Sequence, residues 1–170
     1  NYSSSGNGIF NHLTGLQFAR QAGIEWQHVP YKGGAPSVQA VVTGEVQATF
    51  ATPPAAKPLL DAGKLTGLAV TSSERFGLLP GYPTLAEAGR LPGFEMIIWN
   101  GLFAPARTPE DIVGRLFAAT TKVLADPAVR NRLATTGAEA APSASPADFR
   151  AFAERDGKLI LDLAIQSGAK

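Results

Sequence analysis

The chain has 170 residues, of which 45% are hydrophobic and 17% are charged. This composition excludes a disordered chain, and the length suffices for one domain or two small lobes. The net charge is +1 and no block of Lys or Arg exceeds two residues, which argues against a nucleic-acid-binding protein. Because the sequence has no cysteine, disulfides, thiolate catalysis and cysteine zinc sites are also excluded.

Hydrophobic periodicity predicts alternating helices and short strands over residues 1–93, the pattern of an α/β layered fold. A glycine-rich turn at residues 3–8 precedes the first predicted helix. A loop at residues 31–34 precedes the second helix, and a proline pair opens the third. Strands are predicted, in chain order, at residues 24–29, 46–50 and 65–71.

Later in the chain, Thr84 and Glu87 have the spacing of a capping box, which predicts a short helix between them. The aromatic and β-branched residues 94–99 predict a further strand. Beyond it the sequence is strongly helical. Helices are predicted to start at Thr108-Pro109, Asp126-Pro127 and Ser145-Pro146.

This change in composition predicts two lobes. We interpret residues 1–93 as one α/β lobe, residues 94–104 as a connecting strand, and residues 105–170 as a helical piece of the other lobe. The last segment has too few strands for a sheet of its own. No apolar run approaches the roughly 18–20 residues of a membrane span, and no signal peptide is recognised at Asn1.

The first candidate site is the 3–8 turn, a run of small residues that leads into a helix. Its backbone N–H groups can converge on one point, and the helix start adds partial positive charge. A carboxylate or phosphate could bind there; the alternative is an ordinary exposed helix cap. The candidate ligands are Ser3, Ser4, Ser5, Gly6, Asn7 and Gly8.

The second candidate is the 31–34 loop, between a predicted strand and a helix. Loops of this kind line the crevice at the carboxyl edge of open α/β sheets. Gly33 and Gly34 allow a ligand to approach the backbone closely, Tyr31 offers a hydroxyl, and Lys32 offers a positive charge. No Walker loop is formed, because Ser or Thr does not follow a Gly-Lys pair. An ordinary strand–helix turn is the alternative reading.

Catalytic and metal sites are less well supported. A hydrolase could use Ser5 and His12, but the sequence has no Gly-x-Ser-x-Gly elbow. The two histidines are sixteen positions apart and match no metal-binding pattern. Asn100 could reach a ligand if the predicted connecting strand lies at the floor of a cleft.

Taken in order, the motifs of this chain resemble the substrate-binding receptors of tripartite tricarboxylate transporters, also called the Bug family. The resemblance covers essentially the whole chain. The matching segments are residues 3–8, 28–36, 62–65, 68–72, 83–89, 101–105 with Thr108-Pro109, 124–127 and 137–139.

The resemblance implies a type II periplasmic-binding-protein-like α/β fold of two lobes, with residues 1–93 as lobe 2 and residues 105–170 completing lobe 1. It further implies a small mono-, di- or tricarboxylate ligand, membrane transporter subunits as partners, a periplasmic location and no cofactor. Many relatives place Asp or Asn where this chain has Ala51, followed by Thr52, which argues against an amino-acid ligand. A hydrolase or the ligand-sensing domain of a regulator are the alternatives that the residues leave open.

The resemblance also implies that the first part of lobe 1 would come before Asn1. Two apolar helix stripes should then lack the sheet that covers them, so we expect the chain to form a homodimer or to exchange elements between copies. The stripes are Ile112, Leu116, Ala119 and Val123, and Phe149, Phe152, Ile160 and Leu163.

Overall fold

A computed structural model describes residues 1–168 of the chain. Its sheet has three parallel strands, β1 (Tyr2–Ser4), β2 (His28–Pro30) and β3 (Ala48–Thr49), in the order β2-β1-β3. Tyr2 pairs with His28 on one side and with Ala48 on the other. The first strand along the chain is therefore the central one.

The predicted strands need correction. Ser3 and Ser4, expected in a turn, belong to β1, because the flanking strands supply ladder partners that a local pattern does not reveal. The strand expected at 24–29 starts only at His28, because the Ile24 N–H still bonds the Ala19 carbonyl at the end of the preceding helix. The strand expected at 46–50 is likewise shortened, since the Val46 N–H bonds the Ala40 carbonyl.

Each strand is followed by a helix, as the α/β pattern predicts. The helices are α1 (Phe10–Ala22), α2 (Gly34–Val42) and α3 (Pro53–Asp61). Their inward faces bury Leu13 and Val38 against the sheet. Tyr2, only 1% exposed, stacks on Trp26 with ring centroids 4.5 Å apart. Gly15 makes this packing possible, because a Cβ there would collide with the Tyr2 ring.

The strands expected at 65–71 and 94–99 do not form regular ladders. Val70 makes a single bridge, to Thr84, and the Met96 N–H donates to the Thr71 carbonyl at 2.8 Å. In the second segment Phe94 and Met96 are only 1% and 2% exposed, whereas Leu68 of the first segment is 74% exposed. Apolar composition therefore does not by itself predict repeated backbone pairing.

The capping box is confirmed. Helix α4 (Leu85–Ala88) begins after Thr84, whose hydroxyl accepts from the Glu87 N–H at 3.1 Å. The Glu87 carboxylate accepts from the Thr84 N–H at 2.9 Å. The hydrogen bond from the Thr84 backbone, and to a smaller extent the one from the Arg75 side chain, lowers the pKa of the Glu87 carboxyl.

The chain divides into two compact units, residues 1–98 with the segment from Ile160 onwards, and residues 99–159. The second unit holds α5 (Glu110–Ala125), α6 (Pro127–Thr135) and the larger part of α7 (Pro146–Gln166). The predicted helix starts are correct to within two residues, and Asp126 caps α6 by accepting from the Ala128 N–H. None of the helices described over residues 1–168 has the length and apolarity that a membrane span requires.

The two apolar helix stripes differ in how much of their surface is exposed. Ile112, Leu116 and Val123 of α5 are 37%, 44% and 54% exposed, as expected for a stripe without cover. The expectation was wrong for the second stripe. Phe149 and Phe152 pack on Trp99, and Leu163 is fully buried.

The indole of Trp99 is also fixed by a hydrogen bond. Its N–H donates to Asp156 at 2.7 Å.

Candidate functional site

The carboxyl ends of the three parallel strands meet at one edge of the sheet. At this edge the 3–8 turn leads from β1 into α1, the 31–34 loop leads from β2 into α2, and residues 50–52 lead from β3 into α3. The amino-terminal ends of α1, α2 and α3 therefore lie at the edge where α/β folds bind ligands. We call it the ligand edge.

Hydrogen bonds join the three loops of the ligand edge. The Tyr31 N–H donates to the Ser4 carbonyl at 2.9 Å, and the Gly33 N–H donates to the Ser5 carbonyl at 3.2 Å. The Asn11 side-chain amide donates to the Phe50 carbonyl. The two loops singled out in the sequence are thus neighbours, and the third loop is attached through α1.

A small pocket lies at this edge. Its lining is polar where helices begin and apolar elsewhere, and none of the described residues that form it is charged. The residues that line it are Ser5, Asn11, Gly34, Ser37, Val38, Phe50, Ala51, Thr52 and Ala55. An anion bound there would meet hydroxyls, an amide and backbone N–H groups.

The starts of α1 and α2 keep backbone donors available, whereas α3 begins with Pro53 and Pro54, which have no N–H. Within the described chain, the N-cap residues Ile9, Gly33 and Thr52 make no side-chain capping bond. The first-turn N–H groups of a helix have no intrahelical partner, and they carry partial positive charge. Two such helix ends at one edge, those of α1 and α2, suit a carboxylate.

Three glycines fix the shape of the two loops. Gly6, Gly8 and Gly33 have φ angles of 153°, 70° and 114°, a region that residues with a Cβ rarely adopt. Gly34 is different, since it begins α2 and a Cβ built on it would have open space. Asn7 and Lys32 are exposed in the same two loops.

The predicted serines have three different environments. Ser5 lines the pocket, whereas Ser3 and Ser4 are completely buried. The Ser3 hydroxyl donates to the Ser37 carbonyl at 2.8 Å and accepts from the Ser37 hydroxyl at 3.0 Å. Ser37 also lies 3.2 Å from the Thr49 hydroxyl, so this cluster ties α2 to the central strand and to β3.

Of the twelve predicted contact residues, Ser5, Gly34 and Thr52 line the pocket, and Tyr31 and Asn100 are among the nine that do not. The Tyr31 ring is half-buried, and burial followed by the neighbouring Glu45 carboxylate raises the pKa of its hydroxyl. Glu45 follows the carboxyl end of α2. Asn100 is exposed and belongs to the second unit.

Five residues of the lining were not predicted from the sequence, namely Asn11, Ser37, Val38, Phe50 and Ala55. Asn11 and Ser37 lie in the first turns of α1 and α2. Their signal was available, because both helices were predicted to start at the candidate loops. The apolar lining gave no such signal, since Val38 and Phe50 resemble ordinary core residues.

Two histidines lie directly below the 3–8 turn. The rings of His12 and His28 stack with centroids 3.8 Å apart and an interplanar angle of 7°. The Gly8 N–H donates to Nδ1 of His12 at 3.0 Å, and Nε2 of His28 lies 2.6 Å from the Ser4 hydroxyl. Burial lowers the pKa of His12, and burial together with the charge of His12 lowers the pKa of His28 to about 4. Both rings are therefore neutral at pH 7.

This arrangement does not favour nucleophilic catalysis. Nδ1 of His12 accepts a hydrogen bond from the Gly8 N–H, so the unprotonated nitrogen of this neutral ring is not available as a base for Ser5. Ser4 does lie beside His28, but it is buried and donates its own proton to the Gly6 carbonyl at 2.8 Å. Within residues 1–168 no group of three His, Asp or Glu side chains could hold a metal ion.

Comparison with known proteins identifies related sequences. Residues 1–162 match the family model described as tripartite tricarboxylate transporter family receptor. A UPF0065 protein from the tcbD–tcbE intergenic region of a Pseudomonas species is 38% identical over 164 residues, which cover 95% of this chain and 49% of that protein.

Two similar structures contain dicarboxylates. An R. palustris protein with adipate is 36% identical, with a TM-score of 0.74, over 98% of this chain and 55% of that one. MatC from Rhodopseudomonas palustris, with bound malate, is 33% identical, with a TM-score of 0.67, over 96% of this chain and 56% of that one. The chain spans about half the length of these proteins.

Proposed function

Because the chain belongs to the tripartite tricarboxylate transporter receptor family, we propose that it binds a small carboxylate at the ligand edge. The observation that carries the proposal is the meeting of the donor-bearing starts of α1 and α2 at a pocket whose polar groups are neutral. Backbone N–H groups and the side chains of Ser5, Asn11 and Thr52 would bind the carboxylate oxygens.

The pocket composition also supports a choice of ligand. No acidic side chain lines the described pocket, and Ala51 offers only a methyl group. An ammonium group would therefore lose its water without gaining a partner, which costs several kcal/mol in a buried site. We propose a mono-, di- or tricarboxylate without an amino group.

We extend the proposal to the role of the protein. It would capture its ligand in the periplasm and deliver it to membrane subunits of a tripartite tricarboxylate transporter, and it would release the ligand chemically unchanged. Residues 1–93 would form the ligand-binding lobe, residues 94–104 the connector, and residues 105–170 part of the other lobe. Asn100 would contact the ligand from the connector when the protein closes.

Titration of the ¹⁵N-labelled chain with adipate tests the binding site. We expect the amide signals of Gly6, Gly8, Gly33 and Gly34 to shift, because their N–H groups belong to the loops of the ligand edge. NMR detects binding even at millimolar dissociation constants. Adipamide has the same length and no charge, and it should leave these signals in place.

A matched pair of variants locates the binding site. Gly34→Val adds a side chain at the pocket wall, at a helical position where a Cβ meets nothing within 4 Å, so it should abolish adipate binding without unfolding. Gly114→Val adds the same side chain at an open glycine of α5 and should bind as wild type does. Equal affinity in both variants, or no adipate-induced shift in the wild-type chain, would contradict the proposal.

A further inference from the structure

We propose that His12 and His28 are positioning residues, whose neutral imidazoles hold the 3–8 turn in the shape that binds the carboxylate. The inference rests on the proposed function, because it assigns the histidines a role at the same site. Neither ring lines the pocket, so each would act through the backbone of the turn.

His12 acts as a hydrogen-bond acceptor. Its Nδ1 receives the Gly8 N–H at 3.0 Å, and the residue is only 6% exposed. A nitrogen that accepts carries no proton, so the proton of this neutral ring is on Nε2. Protonation of Nδ1 would remove the acceptor and leave the Gly8 N–H facing another donor.

His28 acts as a donor through Ser4. The Ser4 hydroxyl has one proton, which it gives to the Gly6 carbonyl at 2.8 Å. The 2.6 Å contact between Ser4 Oγ and His28 Nε2 must therefore use a proton on the histidine. The Gly6 N–H also donates to Ser4 Oγ at 3.2 Å, so both hydrogen-bonding groups of the Gly6 backbone are fixed by this serine.

The stacking of the rings couples the two contacts. With centroids 3.8 Å apart, a charge on one ring opposes a charge on the other. The further titratable group that faces the pair is Tyr2 of β1, whose ring centroid is 5.1 Å from that of His28. Burial raises the pKa of Tyr2 to about 12, so this group stays neutral. Acidification would thus disturb both ends of the turn through the histidines.

The histidine bonds can be removed or replaced by isosteres. In His12→Asn the amide oxygen can accept from Gly8 as Nδ1 does, and in His28→Gln the amide nitrogen can donate to Ser4 as Nε2 does. Neither amide titrates. His12→Leu and His28→Leu keep a similar volume but remove the hydrogen bonds. The experiment measures adipate affinity of the wild-type chain and of these variants at pH 7.5 and pH 4.5.

At pH 7.5 each Leu variant should bind adipate about tenfold more weakly, the effect of one hydrogen bond to a positioning group. The Asn and Gln variants should restore binding. Between pH 7.5 and 4.5 the wild type should lose about twofold more affinity than the His12→Asn/His28→Gln double variant, because His28, with a pKa of about 4, is only partly protonated at pH 4.5. Protonation of adipate itself affects both proteins equally, so the difference reports the histidines.

Other outcomes would overturn the inference. These are Leu variants that bind as wild type does, or a double variant with the same pH dependence as wild type. If the Leu variants fail to fold, two other measurements test the inference. They are the pH dependence of adipate affinity in the folded double variant and the hydrogen-exchange rate of the Gly8 amide. That rate should rise in wild type at pH 4.5, relative to intrinsic exchange, and stay constant in the double variant.

If the wild-type chain binds no carboxylate, the proposed function fails and the histidines have no ligand to position. The exchange rate of the Gly8 amide would then still show whether the imidazoles hold the turn.

Discussion

The two stacked imidazoles make the free energy of unfolding depend on pH. Burial first, and then the charge of His12, lower the pKa of His28 to about 4, whereas an unfolded chain has the ordinary value near 6.5. Between these values the unfolded chain binds protons that the folded chain does not, so stability falls as the pH drops from 6.5 towards 4. We expect a loss of about 1–2 kcal/mol after allowance for solvent screening, because His28 is not fully buried.

Urea denaturation at pH 7 and pH 4.5 measures this loss. His28→Gln should lose less stability than wild type over the same interval, since an amide does not titrate. A wild-type stability that is constant over this interval, or an identical loss in His28→Gln, would show that the imidazole is not the titrating group.

At the same scale, the three consecutive serines show what a sequence can predict about a site. Their small size and the glycines after them indicated a loop that could bind an anion. The pattern could not reveal which hydroxyl faces the pocket, because successive side chains of a strand point to opposite faces. Once Tyr2–Ser4 pairs as the central strand, Ser3 faces α2 and Ser4 faces His28, and Ser5 is the serine that lines the pocket. Strand pairing is long-range information that a single sequence does not contain.

At the scale of elements, glycines inside helices provide a test of packing. Gly15→Ala in α1 should destabilise the protein by about 1–3 kcal/mol, because the new methyl group collides with the buried Tyr2 ring. This net loss remains after the helix-propensity gain of roughly 1 kcal/mol is subtracted. Gly114→Ala in α5 meets nothing within 4 Å and should stabilise by about 0.5–1 kcal/mol.

The free energies of unfolding of the two variants and of the wild type are measured by thermal or urea denaturation. If Gly15→Ala gained stability as Gly114→Ala does, the close approach of α1 to Tyr2 would be refuted.

The helices could be predicted better than the strands, for a physical reason. A helix start is marked by local residues, such as the Thr84–Glu87 capping box and the prolines of α3, α5 and α6. A strand of two or three residues is defined by its neighbours in the sheet. Apolar runs such as 65–71 were therefore interpreted as strands, although Val70 makes a single bridge there instead of a ladder.

For the whole molecule, the order of the motifs was sufficient to predict the family and the periplasmic-binding-protein fold, and the match over residues 1–162 confirms both. The assignment of residues to two lobes and the ligand contacts remain predictions. They depend on how the protein closes around a ligand, which the pattern of residues in one chain does not determine.

The exposed stripe of α5 predicts self-association. Ile112, Leu116 and Val123 together present an apolar face to water, and such faces promote contact between proteins. Sedimentation velocity should show a species larger than a monomer whose fraction rises with concentration. Leu116→Glu should shift the chain towards the monomer, whereas Glu110→Gln at the start of α5 should not. A wild-type chain that stays monomeric at all concentrations would rule out this association.

The position of β1 in the sheet has a consequence for how the protein reaches its native state. Tyr2 pairs with residues 26 and 46 positions away, and the described sheet contains no hairpin. Each pairing must therefore close a long loop, whose entropic cost comes before any gain from the ladder. The helices can begin to form from local contacts, but the three loops of the ligand edge acquire their geometry only when the whole sheet closes. A partly folded intermediate would thus have helices without a complete ligand edge, so the carboxylate binding that we propose would report complete folding.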